Sequence, residues 1–202
     1  MHKIFMVKTT ATVAFLFAAA LGIAQVQGKN SFEIPQRIMG SGKLTAQQLA
    51  DFVAVTAMEG DAERAARLAP LYILEAQAEG VNHDVAFAQM ILETGYLQFK
   101  GIVGAHTNNF CGLGAVSATQ TGHIFPDELT GIRAHIQHLK AYASREPLAG
   151  ELIDPRFHFV SPKGKAPTID ALAGTWAKDP QYAAKIKSLL RRMYYYSASA
   201  GL

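Results

Sequence analysis

The chemistry-bearing residue of greatest interest is Glu93. It lies near the end of a stretch, DVAFAQMILETGY, that is otherwise uncharged after its first aspartate. At helical spacing Val85, Ala88, Leu92 and Tyr96 mark an apolar stripe, and Glu93 sits beside it on the last turn. Apolar neighbours desolvate a carboxylate, and the negative end of a helix dipole opposes a second negative charge. Both effects raise the pKa, and a carboxylic acid kept protonated near neutral pH can protonate a glycosidic oxygen. The plain alternative is a glutamate exposed at a helix end.

A second carboxylate would complete the usual glycosidase pair, and Asp127, Glu128, Asp154 and Asp179 are the candidates. Asp127 also stands where a helix needs an N-cap, and Asp154 and Asp179 each precede a proline, a common turn arrangement. Cys111, with histidines elsewhere in the chain, raises a nucleophile hypothesis for peptide-bond cleavage. NNFCGLG, however, sets it between an aromatic residue and a glycine, like a small buried residue. The histidines show no H-E-x-x-H pattern. His135 and His138 are spaced to share a metal or simply to pack on one helix. No metal and no organic cofactor are expected.

These residues need elements to position them. Thr45 and Gln48 form a capping-box pattern ahead of Leu49, Phe52 and Val53. A second helix is expected from about 61 to 79, divided or restarted at Pro70. Asn82 can cap a third, from His83 to Thr94, which Gly95 ends. Residues 99–126 are rich in Gly, Asn, Ser and Thr and read as a long loop with room for a small hairpin. Further helices follow at Asp127–Ala143, about 168–176 and about 180–196. The expected fold is a single all-α domain with a loop-built cleft.

Composition bounds the rest. The formal charge of the 202 residues is +3, and setting aside Lys3 and Lys8 leaves +1, too little for a nucleic-acid partner. Residues 1–24, MHKIFMVKTTATVAFLFAAALGIA, combine a basic start, an apolar core shorter than a bilayer span, and small residues at Gly22 and Ala24. They read as a cleaved secretory signal, with an uncleaved anchor or a buried helix as alternatives. Residues 25–43 form a lead-in, 44–196 the domain and 197–202 a tail. The mature protein is expected to be exported, without stable membrane insertion.

Five ordered blocks then carry a resemblance: AFAQMILETGYLQFKG (86–101), TNNFCGLGA (107–115), GIRAHIQHLKAYA (131–143), DPRF (154–157) and TWAKDPQYAAKI (175–186). Together they resemble the glucosaminidase domain of glycoside hydrolase family 73, over roughly residues 38–190. The resemblance implies a lysozyme-like helical fold with a glycine-rich loop or small hairpin beside the cleft. It also implies hydrolysis of the β-1,4 bond between N-acetylglucosamine and N-acetylmuramic acid in peptidoglycan glycan strands, on the glucosamine side. Glu93 occupies the catalytic position of the family's E-T/S-G motif.

By the same resemblance Asn109 and Phe110 belong to a cleft-wall loop. Asn109 can bind sugar hydroxyls or hold a turn, and Phe110 can face a sugar or anchor the loop. Tyr182 matches an active-site tyrosine of related enzymes, where its phenol can orient the N-acetyl group or a water, or simply pack on the last helix. Trp176 can stack on a sugar or fill the core. In this family the second acid often comes from the lobe after the catalytic helix, yet residues 99–126 contain no Asp or Glu. That leaves a carboxylate from Asp127 onward, assistance from the substrate's own N-acetyl group, or a wall-binding protein with weak or no turnover. Nothing in the residues favours amide-bond chemistry.

Overall fold

The computed structural model describes residues 33–56, 61–117 and 119–200. The leader at 1–24 and the first part of the lead-in lie outside the described residues. Six helices carry the fold: α1 (Ala46–Thr56), α2 (Ala62–Glu79), α3 (His83–Thr94), α4 (Glu128–Ala143), α5 (Ile169–Leu172) and α6 (Tyr182–Ser199). Between α3 and α4 a small antiparallel hairpin pairs β1 (Ala115–Ser117) with β2 (Gln120–Thr121). The expected all-α domain with a hairpin in its glycine-rich loop is therefore present.

Helix ends follow the local chemistry. Thr45 and Gln48 bond reciprocally: the Gln48 amide donates to Thr45 Oγ1 at 3.2 Å, and the Thr45 amide to Gln48 Oε1 at 2.8 Å. Asn82 Oδ1 accepts from the amides of Asp84 and Val85 at the head of α3. Pro70 corrects the expectation of a break, because α2 runs through it unbroken. The ring sits on the exposed face, where water can satisfy the carbonyl that loses its partner. The short helix α5 spans only four residues, since the chain then folds into a tight turn.

The helix that carries Glu93 is the central one. Every residue of α3 from Asp84 to Ile91 is buried, so it is wrapped on all sides rather than along one stripe. The two charged ends of this apolar rod have separate uses. Asp84, fully buried, accepts from the amides of Lys43 and Leu44 and from the Tyr194 hydroxyl at 2.6 Å. It thereby ties the lead-in and α6 to the start of α3. Glu93, at the other end, opens on solvent. Among the described residues no helix is long and apolar enough to cross a membrane.

Candidate active site

A cavity of about 460 Å³, of the size usual for small-ligand clefts, opens beside the last turn of α3. Its walls include Glu93, Asn109, Cys111, Trp176 and Tyr182, with the 99–103 segment on one side. The chain reaches that segment through a sharp left-handed turn. Gly95, Tyr96 and Leu97 all adopt positive φ (58°, 60° and 65°), and Phe99 follows at 49°. Only Gly95 does so without steric cost, and each of the others is strained by about 1–2 kcal/mol. Hydrogen bonds over-determine the turn. The Tyr96 amide donates to Ile91 O, the Leu97 amide to Thr94 Oγ1 and the Phe99 amide to Thr94 O, each at 2.9 Å.

Tyr182 and Trp176 reach Glu93 from the C-terminal part of the chain. After α5 the amide of Gly174, at φ 81°, donates to Ala177 O at 2.7 Å, and this turn projects the Trp176 indole over the cavity. Asp179 next takes the amide of Gln181 on its side chain at 2.8 Å and that of Tyr182 on its carbonyl at 3.1 Å, starting α6. Trp176 Nε1 then donates to Glu93 Oε1 at 3.1 Å, and the Tyr182 hydroxyl donates to that same oxygen. Both donors converge on Oε1, which leaves Oε2 to carry the exchangeable proton. The pKa of Glu93 is raised above the ordinary carboxyl value because the surrounding protein thins its hydration, although both hydrogen bonds pull the other way. Burial and the adjacent Glu93 charge push the Tyr182 phenol far above its ordinary value, so it serves as a neutral donor.

The loop that forms the far wall is fixed from inside. Asn109 is 1% exposed, and its amide donates to Leu113 O and His123 O while its Oδ1 accepts from the Leu113 amide at 2.8 Å. It lines the cavity, but its polar atoms hold the loop. Phe110 lies in the core, 1% exposed, against the rings of Tyr72 and Phe99. Of the two places open to it, the structure gives it the anchoring one. Arg64, not foreseen from the sequence, clamps the same loop. Its guanidinium donates to Ala105 O, Asn108 Oδ1 and Glu128 and lies over Phe99 and Phe110. Gly131 allows the loop to dock on α4, since a Cβ there would stand 1.9 Å from Asn108 O.

The four candidates for a second carboxylate are engaged elsewhere. Asp127 is exposed and caps α4, accepting the Thr130 amide at 2.7 Å. Glu128 pairs with Arg64 at 2.9 Å, buried Asp154 with His138 at 2.7 Å, and Asp179 with Lys185 at 2.6 Å. Glu93 is the one carboxylate that lines the cavity among the described residues. Cys111 also faces it, but burial raises its thiol well above the ordinary value, and the charges of Glu93 and Asp154 push the same way. It is a poor thiolate. His135 and His138 do not converge on one site. The first bonds Tyr72 and Gln89, and the second bonds Asp154.

A family model described as "Glucosaminidase: Mannosyl-glycoprotein endo-beta-N-acetylglucosaminidase" matches residues 69–195, a span that holds Glu93, Asn109, Trp176 and Tyr182. The chain belongs to this glucosaminidase family. It is also 42% identical over 160 residues to an uncharacterized protein of Borreliella burgdorferi, covering 79% of this chain and 78% of the relative. Among solved structures it matches the glycoside hydrolase domain from Salmonella typhimurium FlgJ, with 20% identity and a TM-score of 0.45, over 78% of this chain and 94% of that one. Membership makes the chain a glycoside hydrolase by family, and the five blocks that resemble family 73 all fall inside the matched span.

Proposed function

We propose that this chain is an exported peptidoglycan hydrolase that cleaves the β-1,4 bond between N-acetylglucosamine and N-acetylmuramic acid, with Glu93 as general acid. The observation that carries this reading is an accessible carboxyl of raised pKa, with two donors on Oε1 and the other oxygen left to the proton. The bond and its glucosamine side follow from the family resemblance, and export follows from the leader-like residues 1–24.

In this mechanism Oε2 gives its proton to the glycosidic oxygen as the bond from C1 to that oxygen breaks. With Glu93 as the only carboxylate among the described residues lining the cavity, the second group is the substrate's own. The acetamido carbonyl oxygen of the sugar being cleaved bonds to C1 and forms a cyclic intermediate. Water then attacks C1 and loses a proton to Glu93, which restores the acetamido group, the acid and the original configuration. Tyr182 and Trp176 steady the carboxylate that exists between the two steps.

Digestion of purified sacculi, with borohydride reduction of the new ends, tests the reading. Reduced N-acetylglucosamine, absent with Glu93→Gln, is the expected product. Reduced muramic acid would change the bond, and binding without new reducing ends would make the chain a wall-glycan-binding protein of this fold.

A further inference from the structure

Behind Glu93 runs a chain of side-chain hydrogen bonds with links from α2, α4, α3 and α6. The Tyr72 hydroxyl lies 2.9 Å from His135 Nδ1, and His135 Nε2 lies 3.0 Å from Gln89 Oε1. Gln89 Nε2 donates to the Tyr182 oxygen at 2.8 Å, and the Tyr182 hydroxyl donates to Glu93 Oε1. Tyr72, Gln89 and His135 are wholly excluded from solvent.

The same heavy atoms admit two proton arrangements. In the first, Tyr72 donates to Nδ1, the imidazole carries its proton on Nε2 and donates to Gln89 Oε1, and the Gln89 nitrogen faces Tyr182. The Tyr182 proton is then left for Glu93. In the second, the ring proton sits on Nδ1 and the Gln89 amide is flipped, so its oxygen draws the Tyr182 proton away from Glu93. The inner end of the chain decides between them. Tyr72 packs against the rings of Phe87, Phe110 and His135, and His135 Nδ1 is its hydrogen-bond partner among the described residues. The second arrangement would bury the Tyr72 proton with no acceptor, which is costly.

We propose that Tyr72, His135 and Gln89 are positioning residues that fix the direction of this chain, so that Tyr182 donates to Oε1 of Glu93 and not back into the protein. The proposal rests on the reading of Glu93 as the acid. Tyr72 can donate to Nδ1 only if the imidazole is neutral, because a protonated ring would donate from both nitrogens. Burial and the nearby His138 hold the His135 pKa down to about 3. The groups facing His135 are Tyr72, Gln89, His138 and the Trp176 ring at 6.1 Å, and those facing Glu93 are Tyr182, Trp176 and Cys111.

The test is nuclear magnetic resonance on protein labelled with 15N-histidine and 13Cδ-glutamate. His135 should be the neutral Nε2–H tautomer through the neutral pH range, and an Nδ1–H tautomer in the folded wild type overturns the proposal. His135→Leu frees the Gln89 amide to turn, so the Glu93 titration should move up by about one pH unit, as in Tyr182→Phe. The double variant should move no further than Tyr182→Phe alone, and His135→Gln, whose amide nitrogen replaces Nε2, should return the titration toward wild type. A folded His135→Leu protein with an unmoved Glu93, or a fully additive double variant, overturns it. If His135→Leu does not fold, the wild-type tautomer decides alone. These readouts need no turnover, so a failure of the sacculus digest would count against the hydrolase reading and not against the relay.

Discussion

The Trp176 indole nitrogen sits 3.1 Å from Glu93 Oε1 and contributes a neutral donor to a carboxyl group 83 residues earlier in the chain. A donor to an ionised oxygen favours the charged form, so Trp176 lowers a pKa that burial raises. This carboxyl group is therefore poised by opposing effects, and each can be removed separately.

Removal of the carboxyl proposed as general acid gives the first expectation. Glu93→Gln keeps the volume and can still accept from Tyr182 and Trp176, but has no proton of comparable acidity to give. Turnover of sacculi should fall by roughly 10²–10⁴-fold, the usual contribution of a general acid. Because Glu93 opens on solvent, the thermal midpoint should barely move. An active Glu93→Gln enzyme would remove the assignment.

The pH profile follows with a definite sign. A general acid works while protonated, so kcat/KM should fall as pH rises through the raised pKa of Glu93. Trp176→Phe and Tyr182→Phe each delete a donor that favours the carboxylate, so each should shift this alkaline limb to higher pH. A limb that moves downward in both variants would contradict the opposition of burial and hydrogen bonding.

How much of this was legible beforehand varies with range in sequence. Caps such as Thr45–Gln48 and Asn82 are local, and their residue types announce them. Glu93 and Tyr182 were drawn together by motif, and they share one cavity. Pro70 misled because a proline's effect depends on which face it occupies, and helical periodicity did not weigh that face. Gln89 lies one helical turn before Glu93, and both it and His135 prove to be buried, but nothing local marks them, because they are linked to partners 93 and 46 residues away in sequence. Trp176 read most simply as core because nothing local reveals that its nitrogen faces a carboxylate.

Asn109 should matter to the loop before it matters to a sugar. Asn109→Ala leaves Leu113 N and His123 O unpaired, removes one of the two donors to Leu113 O, and should cost about 1–3 kcal/mol. Asn109→Asp should be at least as damaging, because a carboxylate facing two carbonyl oxygens has nothing to donate. Chemical denaturation of the three proteins measures this. A stable Asn109→Asp protein with weakened glycan binding would return the residue to a substrate role.

Asp127 separates a cap from a catalytic base. Its side chain accepts the Thr130 amide, and this bond is what holds its pKa below the ordinary aspartate value. Asp127→Ala should lower stability by about 1 kcal/mol, the usual worth of an N-cap, and Asp127→Ser should recover most of it. The sign with pH is fixed by the depressed pKa: the cap's contribution is present above the unfolded aspartate value and is lost as pH falls through the folded one. Neither variant should change kcat/KM by more than about two-fold if the substrate's acetamido group is the second catalytic group. A loss approaching that of Glu93→Gln, in a variant still folded at the assay temperature, would instead make Asp127 the missing carboxylate and require the loop to carry it into the cleft.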